Sequence, residues 1–212
     1  MDLRLPTDLT RRTEPTSAKR AQVEQDVLRA VDTLLQDGVR WSELSIERIA
    51  TTAGISRTAF YFYFKDKREV LMRLLEEVGR EIYEQSTWLN TTGEGGGGRD
   101  MLVAAMRSVH VIYEQHGALL QAVVEVSAVD ETIAEVYQAI LNSLVTAAVA
   151  RMTELEAAGE ASPITPMEAT ARALVAMTER AFYTWRIRGE EITPEHADVL
   201  AEIWVRSVYG AA

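Results

Sequence analysis

The densest chemistry in the chain lies between Ser45 and Lys67, where SIERIATTAGISRTAFYFYFKDK interleaves hydroxyls, aromatics and cations. Arg57 can grip a guanine edge with two hydrogen bonds, Thr58 can offer a methyl or hydroxyl to a base, and Tyr61 and Tyr63 can donate to phosphate. Lys65 and Lys67 add cations at a groove edge. Ser56 stands at a helix start, where free backbone N–H groups and the helix dipole favour a phosphate. At about 100° per residue, Phe60 and Phe64 share the inward face of this helix, with Ile49 and Ile55 as packing partners. Thr58, Tyr61, Phe62 and Lys65 fall outward, flanked by Arg57 and Tyr63. The same pattern also fits an aromatic core trimmed with solvated Lys and Arg, because aromatics at helical spacing usually pack. The outward Tyr61 and Phe62, awkward in water but useful beside thymine methyls, and a basic arm upstream favour a DNA groove.

The elements that must position these residues follow from caps and glycines. Residues 1–17 carry two prolines and Arg4, Arg11 and Arg12 without periodicity, and read as a flexible basic arm. From Ala18, apolar residues recur at helical spacing until Gly38, which predicts a first helix. Ser45 opens a second, ended by Gly54, and Ser56 opens a third over RTAFYFYF. Only AGI separates the two short helices, the arrangement of a helix-turn-helix. Asp66 caps a longer helix to about Trp88. Five glycines in the six residues 93–98 predict a flexible loop. Further helices are predicted over 99–115 (ended by Gly117), about 118–128, 130–158, 166–188 and 194–209. No strand alternation survives, so the fold class is all-α: an N-terminal three-helix helix-turn-helix domain followed by a larger helical domain.

Charge divides the same way. The 212 residues carry a net charge of −10, which by itself repels DNA, yet residues 1–70 hold 12 Lys+Arg against 11 Asp+Glu while residues 71–212 hold 10 against 21. Zero cysteines exclude disulfides, thiolate zinc sites and a Cys nucleophile. No run of about 18 uncharged apolar residues and no apolar leader are present, so neither a membrane span nor a signal peptide is expected, and the location is read as cytoplasmic. His110, His116 and His196 lack metal-ligand spacing, and no phosphate-cradle or nucleophile-elbow motif occurs. No metal, cofactor or catalytic residue is therefore assigned.

The run from Ser45 to Leu75 also resembles the TetR/AcrR repressor family: I-A, then A-G-I-S-x-x-x-F-Y-x-Y-F, a short gap, a lysine and an apolar helix. The resemblance implies DNA contacts at Ser45, Ser56, Arg57, Thr58, Tyr61, Tyr63 and Lys67; Lys65 stands where the family often has proline. It further implies a homodimer, an inverted-repeat operator in double-stranded DNA, and repression relieved by a small molecule. AMTERAFYTW and EIWVRSVYG are similar to the EthR-type branch of that family. That likeness implies a long apolar tunnel walled by Leu102, Val109, Tyr113, Tyr137, Leu144, Thr178, Glu179, Tyr183 and Trp204. Leu102, Val109 and Leu144 are aliphatic where the branch has aromatics, which points to a wider pocket or a different ligand.

Read from the residues alone, Tyr113, Tyr137, Met177, Tyr183 and Trp204, on different amphipathic helices, fit ordinary core better than a pocket, and Glu179 fits a salt bridge to Arg180 or Arg172 as well as it fits a ligand contact. The apolar content of 166–188 (Leu174, Val175, Phe182, Trp185) and 194–209 (Val199, Leu200, Ile203, Val208) exceeds what one buried face needs, so these two segments are expected to form the dimer interface. The expected organisation is a basic arm over 1–17, a DNA-binding domain over 18–65, and a domain for a small apolar effector and dimerisation over 66–212. A helical small-molecule enzyme, or an acidic adaptor without DNA binding, is the alternative.

Overall fold

The computed structural model describes residues 18–90, 98–161, 163–164 and 166–210. The expected basic arm (1–17) and most of the glycine-rich loop (91–97) lie outside the described residues. Nine α-helices and no strand occur among the described residues: α1 (Ala18–Gln36), α2 (Ile46–Thr52), α3 (Arg57–Tyr63), α4 (Lys67–Gln85), α5 (Thr87–Asn90), α6 (Arg99–Ser127), α7 (Glu131–Ala157), α8 (Met167–Ile187) and α9 (Pro194–Tyr209). A 3-10 turn, Trp41–Glu43, precedes α2.

Two boundaries differ from the expectation. The helix after Asp66 stops at Gln85, and Thr87–Asn90 is a separate turn of helix beyond the buried Ser86. The break predicted at Gly117 is absent, and α6 runs through it to Ser127. Gly117 keeps ordinary helical backbone, and a Cβ there would stand 3.4 Å from the Arg186 Cδ. This glycine admits a neighbouring side chain instead of ending the helix. Its cost of about 1 kcal/mol against alanine is small beside the apolar burial on either side of it. The stop comes ten residues later, where Asp130 Oδ1 accepts from the Ile133 N–H and opens α7. By length and composition alone α7 could cross a membrane, an apolarity that a search for an uninterrupted run misses because Asn142, Ser143 and Thr146 intervene.

The chain divides into two compact units: residues 1–78 with 118–137, and residues 79–117 with 138–212. In the first, Val27, Val31, Ile49, Phe60, Phe64, Val70, Leu71, Leu119, Val123 and Ile133 are buried together. Arg73 ties its helices at the margin: Nη1 reaches Glu24 at 3.1 Å, Nη2 reaches Glu69 at 2.9 Å, and the guanidinium lies over the Phe64 ring. In the second, Trp88, Ile112, Ala147, Ala148, Met152, Phe182, Ala201 and Val208 are buried. Leu174, Val175, Phe182, Leu200 and Val208, expected at a dimer interface, are already covered within the chain, which leaves Ile187, Val199 and Ile203 exposed.

Candidate nucleic-acid interface and effector region

The helix-turn-helix is built from short-range bonds. Ser45 Oγ accepts from the Arg48 N–H at 3.2 Å, and Ser56 Oγ accepts from the Ala59 N–H at 3.0 Å, so each hydroxyl satisfies one of the free donors at its helix start. Between the two helices Gly54 adopts φ +72°, a left-handed conformation that side chains disfavour. The Ile55 N–H then reaches back to the Ala50 carbonyl at 2.9 Å and closes the turn.

This geometry sets the faces of α3 as the spacing predicted. Phe60 and Phe64 are buried with ring centroids 5.5 Å apart, and Ile49 is fully buried beneath them; Ile55 is half-buried. Arg57, Thr58, Tyr61 and Lys65 are exposed, and Phe62 is 76% exposed. A phenylalanine that open is an unusual surface for water and a natural one for a base edge. Tyr63 is half-buried, with Arg20 stacked 6.0 Å above its ring. Arg48, which the sequence reading passed over, is exposed on α2; its position in the first turn after Ser45 was the available signal.

Lys67 departs from its expected place. Its Nζ donates to the Trp41 and Leu44 carbonyls, both at 2.8 Å, and lies 4.8 Å from the Trp41 ring centre. Burial holds its pKa below the ordinary lysine value. Two of its three donors are committed to the turn that precedes α2, so it positions the motif from inside and does not present its charge outward. Asp66 beside it is a cap, accepting from the Arg68 and Glu69 N–H groups. Partial burial pushes its carboxyl up, but those N–H groups and the Arg68 side chain outweigh it and leave the pKa below the usual value.

Eight of the nine expected effector residues fall in the second unit, and Tyr137 falls in the first. Two groups form. In one, Trp204 Nε1 donates to Thr178 Oγ1 at 2.9 Å, and Trp204 meets Trp88 edge-on. In the other, Tyr113 stacks on Phe182 with centroids 4.4 Å apart. Burial pushes the Tyr113 phenol strongly up, and the Glu179 carboxylate adds to it. Glu179 is shielded and sits 3.7 Å from the outward Arg180, which stacks over Tyr183. Arg172 turns elsewhere, to Asn142 and Glu168. Leu102 is buried, while Val109, Leu144 and Tyr183 are half-buried. Trp88 and Arg151, both almost fully buried, were missed by the sequence reading.

A capped helix-turn-helix with an exposed polar and aromatic recognition helix, followed by a helical second unit, defines a DNA-binding transcriptional regulator. Over residues 41–74 the chain matches the model for bacterial regulatory proteins of the tetR family, and over residues 102–210 the model for the C-terminal domain of transcriptional regulator EthR. The HTH-type transcriptional regulator EthR of Mycobacterium tuberculosis H37Rv is 29% identical over 192 residues, 88% of this chain and 87% of the relative. That of Mycolicibacterium smegmatis is 27% identical over 177 residues, 81% and 79% of the two chains. Among solved structures, a SmeT–triclosan complex matches with a TM-score of 0.74 at 16% identity, covering 88% of this chain and 91% of that one. A TetR-family regulator from Rhodococcus sp. matches at 0.69 and 19% identity, covering 88% and 98%. The chain belongs to the TetR family of bacterial regulatory proteins, in the branch that carries the EthR C-terminal domain. It is a transcriptional regulator and not an enzyme, and α7 lies wholly within the C-terminal match.

Proposed function

We propose that the protein is a cytoplasmic, homodimeric repressor that binds an inverted-repeat operator and is released by a small, largely apolar effector. The observation that carries the DNA-binding part is α3 itself: Phe60 and Phe64 are locked inside while Arg57, Thr58, Tyr61 and Phe62 are exposed, Tyr61 touching the Phe60 ring with its edge. In this reading Arg57 and Thr58 read bases and Phe62 meets apolar base surface. Tyr61, Tyr63 and Lys65 hold phosphate, joined by Arg48. Ser45 and Ser56 accept a backbone N–H and keep a hydroxyl proton for a phosphate oxygen, and Lys67 acts through the turn that it anchors. DNA binding is assigned to 18–65, and effector binding and pairing of two copies to 66–212.

The exposed Val199 and Ile203 on α9, with Ile187 at the end of α8, supply apolar surface for pairing through 166–188 and 194–209. The Trp204–Thr178 and Tyr113–Phe182 groups supply an aromatic surface with few polar groups, suited to a small molecule. The SmeT–triclosan complex is an instance of such a molecule in this fold. Release follows if the effector favours a conformation in which the two recognition helices no longer match successive major grooves; a ligand that binds both conformations equally releases nothing.

Selection of purified protein against a randomised duplex pool at two salt concentrations tests the reading. A palindrome with strongly salt-dependent affinity is expected, and no enrichment at either salt overturns it. With that operator in hand, Arg57→Ala relaxes preference at particular base pairs by about 1–3 kcal/mol, as measured by competition with single-substitution sites.

A further inference from the structure

Arg151 lies on α7 in a stripe with Ala147, Ala148, Met152 and Leu155, each at most 1% exposed, and is itself 3% exposed. An arginine does not lose its proton in a protein, so a full positive charge sits inside an apolar helix face. One nitrogen is accounted for: Nη1 donates to Glu154 Oε2 at 3.1 Å, and the Glu154 side chain is half in solvent. Nε and Nη2 are buried and have no hydrogen-bond partner among the described residues. Those two atoms form one edge of the guanidinium plane. Their N–H bonds run parallel at the spacing that receives both oxygens of one carboxylate. Buried charges in proteins are paired and buried donors are bonded, because leaving either uncompensated is costly.

The surroundings indicate what belongs there. Burial raises the Tyr209 phenol; its hydrogen bond from Trp88 and the charges of Arg151 and Arg99 pull it back, while the Glu160 carboxylate pushes it up. Trp88 Nε1 donates to Tyr209 Oη at 3.0 Å, Trp88 meets Trp204 edge-on at 5.9 Å, and Trp204 donates to Thr178. Arg99 adds a second guanidinium, 5.7 Å from the Tyr209 ring centre. Arg151 and Arg99 thus bring two guanidiniums, and Glu160 one carboxylate, to the Tyr209 end of an aromatic row.

We propose that Arg151 is a carboxylate anchor in the effector region, and that the effector is an apolar carboxylic acid. Its carboxylate takes the Nε–Nη2 edge, and its apolar body lies along Tyr209, Trp88 and Trp204. This rests on the reading that residues 66–212 bind a small molecule, and adds a charge requirement to it.

The test is calorimetric titration of the full-length protein with dodecanoate and with dodecan-1-ol, in the wild type, Arg151→Met and Arg151→Lys. The wild type is expected to bind dodecanoate about ten-fold more tightly than the alcohol or better, since the acid gains charge-assisted hydrogen bonds. Arg151→Met abolishes that preference, so that acid and alcohol bind with similar affinity. Arg151→Lys keeps the charge but loses the two-point fork, and retains only part of the preference. Arg151→Met melts no lower than the wild type, because it removes a buried charge that the protein compensates only partly. Equal affinity for acid and alcohol in the wild type, an acid preference that survives in Arg151→Met, or binding of neither probe overturns the anchor. Operator release, followed separately by anisotropy of labelled DNA, keeps the two ideas apart. Arg151-dependent dodecanoate binding without release upholds the anchor and overturns the effector reading of the region, and release by other molecules without acid preference does the reverse.

Discussion

In the helix-turn-helix most of the polar contacts that shape the candidate surface join near neighbours, Ser45 to Arg48 and Ser56 to Ala59, both three residues apart, and Asp66 to Arg68 and Glu69; the exception is Lys67, which reaches Trp41 and Leu44. In the second unit the side-chain bonds of the candidate effector region span 26 residues for Trp204 and Thr178 and 121 for Trp88 and Tyr209. A surface built from local bonds can vary its outward residues without disturbing the fold, since caps, turn and inward phenylalanines persist. A site built from distant segments exists only once the whole unit has packed. There, a substitution tends to alter stability and binding together.

The sharpest way to break this contrast lies within α3. Phe60→Ala is expected to destabilise by about 3–5 kcal/mol in denaturant unfolding, because a fully buried ring is lost. Phe62→Ala, two residues on, is expected to stay within about 0.5 kcal/mol of the wild type while operator affinity falls. Loss of stability in Phe62→Ala would show that the exposed ring packs, and would return the segment to plain core. Lys67→Ala comes next. Its ammonium bonds two carbonyls, so the variant loses about 1.5–3 kcal/mol of stability, read as a lower denaturation midpoint, and weakens DNA binding through a loosened turn. If the midpoint holds while operator affinity and its salt slope fall, the lysine is a phosphate contact after all. Smallest is Trp204→Phe, which keeps the ring and removes the bond to Thr178, at a cost of about 0.5–1.5 kcal/mol. Thermal unfolding and effector titration are expected to shift together, with operator affinity unchanged; a change in effector binding alone would make the second unit as separable as the first.

The residues explain why one region was easier to read. Capping serines, a glycine at a left-handed turn and the alternation of inward and outward aromatics are decided within a few positions, and they appear in the sequence as they do in space. Lys67 defeated the same logic, because its partners Trp41 and Leu44 are 26 and 23 residues away and nothing local distinguishes an outward lysine from one folded back under the motif. Gly117 was read as a stop for the same kind of reason. The Arg186 side chain that occupies the space beside it comes from a distant helix. Arg151 did carry a signal, a charged residue at helical spacing with Ala147, Ala148 and Leu155, but its meaning depends on how completely the neighbours close around it.

The sequence alone determined an all-helical chain and the helix-turn-helix with the inward and outward faces of α3, because periodicity, caps and turn residues act over a few residues, and its Ser45–Leu75 motif carried the resemblance to the TetR family. Only the tertiary structure decided that α6 is unbroken, that Lys67 is folded back onto the turn before α2, that Leu174, Val175 and Phe182 are core instead of free surface, and that one edge of a buried guanidinium has no hydrogen-bond partner among the described residues. Each of those depends on which distant side chain arrives at a given point, and burial and pairing are properties of that meeting and not of either segment.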